Sequence, residues 1–177
     1  MYRVASLLYP DALATSVTLP MEILRAASQM ASVHHRGREQ VRFLLAGPDR
    51  KMLRLASGVT LKPDLAYSDL PPLDLLLVPA IWRNPLPTVR QASLFTALLR
   101  DTAATGARIC SVGTGSFLLA EAGLLQGRPA TTHWNYFEQF SRRYPDVPLK
   151  TRHLITQSDN IYCVGSVNSI ADLMVHI

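Results

Sequence analysis

Apolar positions in this chain fall into two arrangements that alternate. Residues 3–9, 40–46, 74–79, 108–112 and 161–164 are short apolar runs with little polar interruption. Such runs mark strands covered on both faces, as in a parallel sheet. Between them, apolar residues at three- and four-residue spacing predict helices over 18–31, 88–105, 116–123 and 134–144, and from 165 onward. Strand–helix alternation of this kind predicts an α/β fold: one mostly parallel sheet with helices on both faces, in a single domain over 1–177.

The punctuation fits that order. Thr18 or Ser16 is placed to cap the first helix, with Pro20 in its first turn. Pro10, Gly47-Pro48, Gly106, Gly123 and Pro145 close elements. In the helix over 88–105, Val89, Leu94 and Leu98 are expected to face inward. Residues 52–61, with Ser57-Gly58 at their centre, read as a hairpin-like insert. Residues 63–72 read as a loop with one helical turn. Residues 153–157 and 161–164 read as two short strands about a turn at 158–160. The last helix reaches Ile177 without a C-cap, so the natural chain is expected to continue beyond it.

Composition adds bounds. A chain of 177 residues, 48% hydrophobic and 18% charged, can bury a full core. The net charge is +5, and 15 of the 18 basic residues are arginine, dispersed along the chain. The one dense cluster, residues 34–42, reads first as a solvated helix end and loop. A nucleic-acid contact is the lesser reading, because no aromatic residues interleave. Cys110 and Cys163 both lie in strand runs and read as buried thiols, not as a disulfide or metal ligands. No apolar run reaches the roughly 18 residues of a membrane span, and the N-terminus does not resemble a signal peptide. The expectation is a cytoplasmic domain with no membrane contact, no metal and no cofactor.

The stretch over 107–125 organises the chain. A strand, 108–112, turns sharply at Gly113-Thr114-Gly115 and becomes an Ala/Leu-rich helix. Strand, tight glycine turn and helix form the layout of a nucleophile elbow, whose central residue sits in a strained conformation and points into a crevice. Here that residue is Gly113, which has no side chain.

The segment GTGSFLLAEAGLLQGRPATTHW, residues 113–134, resembles the PfpI-type, class I glutamine-amidotransferase-like domains. It is most similar to those forming the N-terminal half of GlxA-type AraC-family transcription regulators. LPMEILRAA at 19–27, DLLLVPA at 74–80 and GSVNSIADL at 165–173 extend the resemblance over nearly the whole chain. The resemblance implies a flavodoxin-like three-layer sandwich, often dimeric. In the regulators an AraC-type helix-turn-helix domain follows, and DNA contact belongs to it. In the family's enzymes a cysteine occupies the elbow, with a histidine nearby and a carboxylate from the first helix region. Three positions depart from that pattern. Gly113 stands at the cysteine, Ser16 at the acid, and Ala80 at the glycine after the central-strand proline.

These departures point to a binding crevice in place of a catalytic one. Thr114 is a β-branched neighbour whose side chain should point away, Ser116 reads as a capping or packing residue, and Cys110 as core. Ligands in open parallel sheets sit beyond the carboxyl ends of the strands. The loops after residues 78 and 112 meet there. The candidate ligand-binding residues are Gly113, Thr114 and Gly115 at the elbow, with Ile81 and Trp82 from the neighbouring loop, which also carries Arg83. His133, Trp134 and Ser16 complete the set. The amides of Thr114 and Gly115 open a helix and suit an anion or a carbonyl oxygen. His133 reads equally as a hydrogen bond holding the connector or as a crevice wall. Trp82 and Trp134 read first as packing residues. The leading expectation is a non-catalytic, dimeric domain that senses an unknown small-molecule effector. The alternative is a small PfpI-type enzyme, such as a hydratase, an amidase or a glyoxalase-like protein.

Overall fold

The computed structural model describes residues 1–34 and 41–177. Gln40, the expected first residue of the second strand, and most of the basic cluster lie outside the described residues. In chain order the elements are β1 (Tyr2–Leu7), α1 (Ala14–His34), β2 (Val41–Gly47), β3 (Leu53–Arg54), β4 (Thr60–Leu61), β5 (Leu65–Ala66) and β6 (Leu75–Val78). They continue with α2 (Leu86–Val89), α3 (Ser93–Ala104), β7 (Arg108–Val112), α4 (Ser116–Glu121), α5 (Phe137–Arg143), β8 (Ile155–Ser158), β9 (Ile161–Val164) and α6 (Ile170–His176).

Seven strands form one sheet in the order β5-β2-β1-β6-β7-β9-β8, parallel except at β8. β6 lies between β1 and β7, and its four residues are all buried. The period-two geometry of a strand divides each apolar run between two layers. Ala5, Leu76, Val78 and Ile109 face Phe95 and Leu99 of α3, Phe117 of α4 and Phe140 of α5. Val4, Leu75, Leu77 and Cys110 face α1 and α6, where Ile170 and Leu173 are buried. Each fully buried leucine of this set contributes about 1.5–3 kcal/mol relative to exposure. This is the expected flavodoxin-like three-layer sandwich, and the two layers explain why the central runs show no polar alternation. Cys110 and Cys163 are both buried and unpaired by any disulfide.

Several boundaries differ from the sequence expectation for physical reasons. α1 begins at Ala14, because the Leu13 amide is tied to the Ala80 carbonyl at 2.8 Å and Ser16 N–H closes a turn on Leu13 O at 3.0 Å. Ser16 is therefore inside the first turn and is no cap. Pro20 lies one turn deeper than expected, where it offers no N–H to the Ser16 carbonyl. The single helix expected over 88–105 is two, α2 and α3. Between them Gln91 and Ala92 donate to carbonyls three residues back, at 3.0 Å each. Three-residue turns advance about 120° per residue against about 100° in an α-helix, so the inward face slides. Phe95 and Leu99 are buried in consequence, and Leu94 is exposed. Residues 63–72 hold the expected helical turn, Tyr67–Asp69, and also the two-residue edge strand β5. α5 and α6 are each preceded by a 3-10 turn, Trp134–Tyr136 and Val167–Ser169.

Candidate functional site

The elbow stands at the carboxyl end of β7, beside the ends of β6 and β9. Gly113 has φ +49°, a left-handed conformation that costs L side chains about 1–2 kcal/mol. Space is not the constraint there. A Cβ on Gly113 would lie 3.6 Å from the Ala80 Cβ, 3.7 Å from the His133 Cβ and 3.7 Å from the Gly165 carbonyl oxygen, all ordinary contacts. At Gly115 the constraint is reversed. Its φ is −59°, open to any residue, but a Cβ would fall 2.5 Å from the Pro79 carbonyl oxygen and 2.7 Å from that of Val78. The elbow is pressed against the end of β6, and glycine is what permits the approach.

Polar side chains lock this junction. The Ile81 amide donates to Thr114 Oγ1 at 2.9 Å, and the Thr114 hydroxyl is 2.9 Å from the Ile81 carbonyl oxygen. Ser116 Oγ donates to the Gly113 carbonyl at 3.0 Å, and Thr132 Oγ1 donates to the same oxygen at 3.2 Å. Ser16 Oγ donates to Leu13 O at 2.6 Å and accepts from the Ala80 amide at 3.0 Å. The Tyr9 hydroxyl bonds the Pro79 carbonyl. The first two amides after Pro79 are thus both taken by protein oxygens.

Over the elbow lies a cavity of about 660 Å³. It is larger than the groove of about 520 Å³ lined by Arg25 and Arg42 between α1 and β2. Of the sequence candidates, Gly113, Thr114, Ile81, Trp82, His133 and Trp134 line it, and so does Arg83 of the same loop. Gly115 and Ser16 do not: Gly115 faces β6, and Ser16 is fully buried behind Ala80. Trp82 and Trp134 are not core residues; they are 39% and 69% exposed and stand at the cavity. The sequence reading missed Tyr136, Asn135 and the segment Ser166 to Asn168, which also line it. The last of these follows β9, a third parallel strand ending at the same edge as β6 and β7, and that was the available signal.

His133 performs both roles the sequence left open. Its Nδ1 accepts from the Asn135 amide at 3.3 Å and so opens the 3-10 turn, while the ring lines the cavity. The ring centroid is 5.5 Å from that of Trp134 and 6.0 Å from that of Tyr136. Burial pushes the imidazole pKa below its usual 6.5, which favours the neutral ring. With Nδ1 accepting, the proton sits on Nε2. Arg83, on the neighbouring loop, has φ +57° and no ion-pair partner among the described residues. Among the described residues no Asp, Glu or Cys belongs to the lining.

A parallel α/β sandwich with a glycine elbow under a strand-end cavity is the architecture of a flavodoxin-like crevice domain. The chain belongs to the DJ-1/PfpI family, which it matches over residues 3–158. It is 30% identical to the isonitrile hydratase of Pseudomonas putida over 171 residues, which are 96% of this chain and 68% of that one. It is 28% identical to the HTH-type transcriptional regulator GbdR of Pseudomonas aeruginosa over 162 residues, covering 92% of this chain and 42% of the regulator. The chain therefore spans less than half of that regulator's length. Among solved structures it superposes on an AraC family transcriptional regulator from Pseudomonas putida with a TM-score of 0.79 at 24% identity, covering 99% of this chain and 90% of that one. Among the described residues no helix is long and apolar enough to cross a membrane.

Proposed function

We propose that this domain is the effector-sensing, dimerising part of a cytoplasmic transcription regulator, and that its elbow site is degenerate and does no chemistry. The observation that carries this reading is Gly113. An elbow directs one side chain into the crevice, and this one directs none. Covalent catalysis needs a nucleophile, a base within hydrogen-bond reach and donors for the developing oxyanion. The cavity wall offers a neutral imidazole, one guanidinium and amide or hydroxyl groups. The Thr114 hydroxyl is occupied on the Ile81 backbone. The HTH-type regulator GbdR supports the reading, and its greater length leaves room for a DNA-binding segment outside the matched region. DNA contact is assigned to such a segment and not to the dispersed arginines.

Hydratase chemistry is the second reading, favoured by the 30% identity to isonitrile hydratase over 96% of the chain. It would require His133 to activate water without an acid beside it. One experiment separates the two. The chain and a Gly113→Leu variant are screened against metabolites by thermal shift and calorimetry, with isonitrile hydration, amidase and glyoxalase assays in parallel. A ligand that binds the chain and is lost in Gly113→Leu supports sensing. Turnover by the unaltered chain well above buffer overturns it. Sedimentation of the chain tests the dimer; monomer alone at high concentration removes that part.

A further inference from the structure

The composition of the cavity wall narrows the ligand, on the reading that the elbow cavity is a sensing site. We infer that it takes a small monocarboxylate with a flat, apolar body, the carboxylate meeting Arg83 and the body lying among Trp82, Trp134 and Tyr136.

Charge decides the polar end. Among the described residues Arg83 is the one charged residue in the lining, and no carboxylate lines the cavity with it. Asp11 reaches the same loop, since its backbone carbonyl accepts the Trp82 amide at 2.6 Å, but its carboxylate is turned to the Thr88 hydroxyl at 2.9 Å. Burial lowers the His133 pKa and so favours the neutral ring, which with Nδ1 accepting leaves Nε2–H as a further donor. The wall is therefore rich in donors and carries a net positive charge. An ammonium ligand would find aromatic rings but also an unneutralised guanidinium, and no acid to pair with. A guanidinium instead suits a carboxylate through two parallel N–H donors.

Shape decides the other end. Two tryptophans that a core would have absorbed stand exposed at one cavity, with the Tyr136 ring beside them. Large exposed aromatics grouped around a hollow mark a recognition surface for flat apolar groups. Arg83 is held at φ +57°, a conformation that L side chains avoid. Strained residues of this kind cluster at active sites and ligand clamps. The volume, about 660 Å³, lies within the range of small-molecule sites.

The test uses three probes of one shape: phenylacetate, phenylacetamide and benzylammonium. Binding to the 177-residue chain is measured by calorimetry at low and high salt. Phenylacetate is expected to bind roughly tenfold or more tighter than the neutral amide, the value of one charge-assisted contact. The preference should shrink in Arg83→Gln and in Arg83→Gly and weaken with salt. Trp82→Ala should weaken the acid and the amide alike. Equal binding of acid and amide, tighter binding of the ammonium, or a preference that survives both Arg83 variants overturns the inference. So does the failure of all three probes at millimolar concentration. None of these results touches the sensing role, which stands or falls on the metabolite screen and the turnover assays. Conversely, acid-selective binding together with hydration of isonitriles would keep the ligand class and remove the sensing role.

Discussion

Thr114 and Ile81 are tied side chain to backbone at both polar atoms of Ile81: amide to Oγ1 at 2.9 Å, and hydroxyl to carbonyl at 2.9 Å. Both residues are buried, at 3% exposure each. One hydroxyl therefore fastens the elbow to the loop that carries Trp82 and Arg83. Thr114→Val keeps the shape and strands a buried amide and a buried carbonyl. It should cost about 2 kcal/mol or more in urea unfolding. Thr114→Ser keeps the hydroxyl and should recover most of that loss. A valine variant as stable as the parent would mean that the loop is held by other contacts.

The two elbow glycines should respond differently to the same methyl group. Gly115→Ala places a Cβ against the Val78 and Pro79 carbonyls, backbone that cannot swing aside. Its cost should be about 3 kcal/mol or more, at the high end for overpacking. Gly113→Ala meets only ordinary contacts and bears the left-handed strain alone, about 1–2 kcal/mol. Chemical denaturation of both variants checks the order. Equal losses would remove the distinction between close approach and backbone strain.

How much of this was legible follows from particular residues. The sheet was readable because β6 and β7 are apolar without alternation, a direct mark of two covered faces. The elbow was readable because Gly113 and Gly115 bracket one residue between a strand and a helix. The role of Gly115 was not, since it depends on how near Pro79 comes, and no local pattern encodes that distance. Ser16 was misplaced for a related reason: its helix starts early because Leu13 and Ser16 bind the loop after β6. Leu94 turned outward because a 3-10 turn reset the helical phase, which spacing alone does not reveal. Arg83 gave no sign of a positive φ, because arginine has no preference for it.

Stability should fall on both sides of neutrality. Burial pushes the Cys110 and Cys163 thiols and the Tyr9 and Tyr67 phenols above their ordinary values. The unfolded chain then releases protons first. The stability held by the protonated forms is complete well below about pH 8.5 and is lost progressively as pH rises from the unfolded thiol and phenol values toward the raised folded ones. His133 is shifted down by burial, so its share is present above about pH 6.5 and lost as pH falls through the lower folded value. Melting temperature against pH should therefore form a plateau near neutrality. The His133 ring, followed by NMR, should titrate below 6.5. A melting temperature that climbs from pH 8 to 10, or a His133 midpoint above 7, contradicts these shifts. The two thiols should also resist aromatic disulfide reagents until the chain is unfolded.

Arg83 should show stability and binding moving in opposite directions. Its φ of +57° is a local cost, and nothing among the described residues repays it through an ion pair. Arg83→Gly relieves the left-handed strain of about 1–2 kcal/mol but gives back roughly half to one kcal/mol in unfolded-chain freedom. The variant should therefore be as stable as the parent or up to about 1.5 kcal/mol more stable. Arg83→Ala removes the guanidinium and keeps the strain, so it should gain nothing. Both variants should lose the preference for phenylacetate over phenylacetamide. Urea unfolding and calorimetry on the three proteins decide the matter. If Arg83→Gly were clearly less stable than the parent, the guanidinium would be supporting the fold, and its strained backbone would need no ligand to explain it.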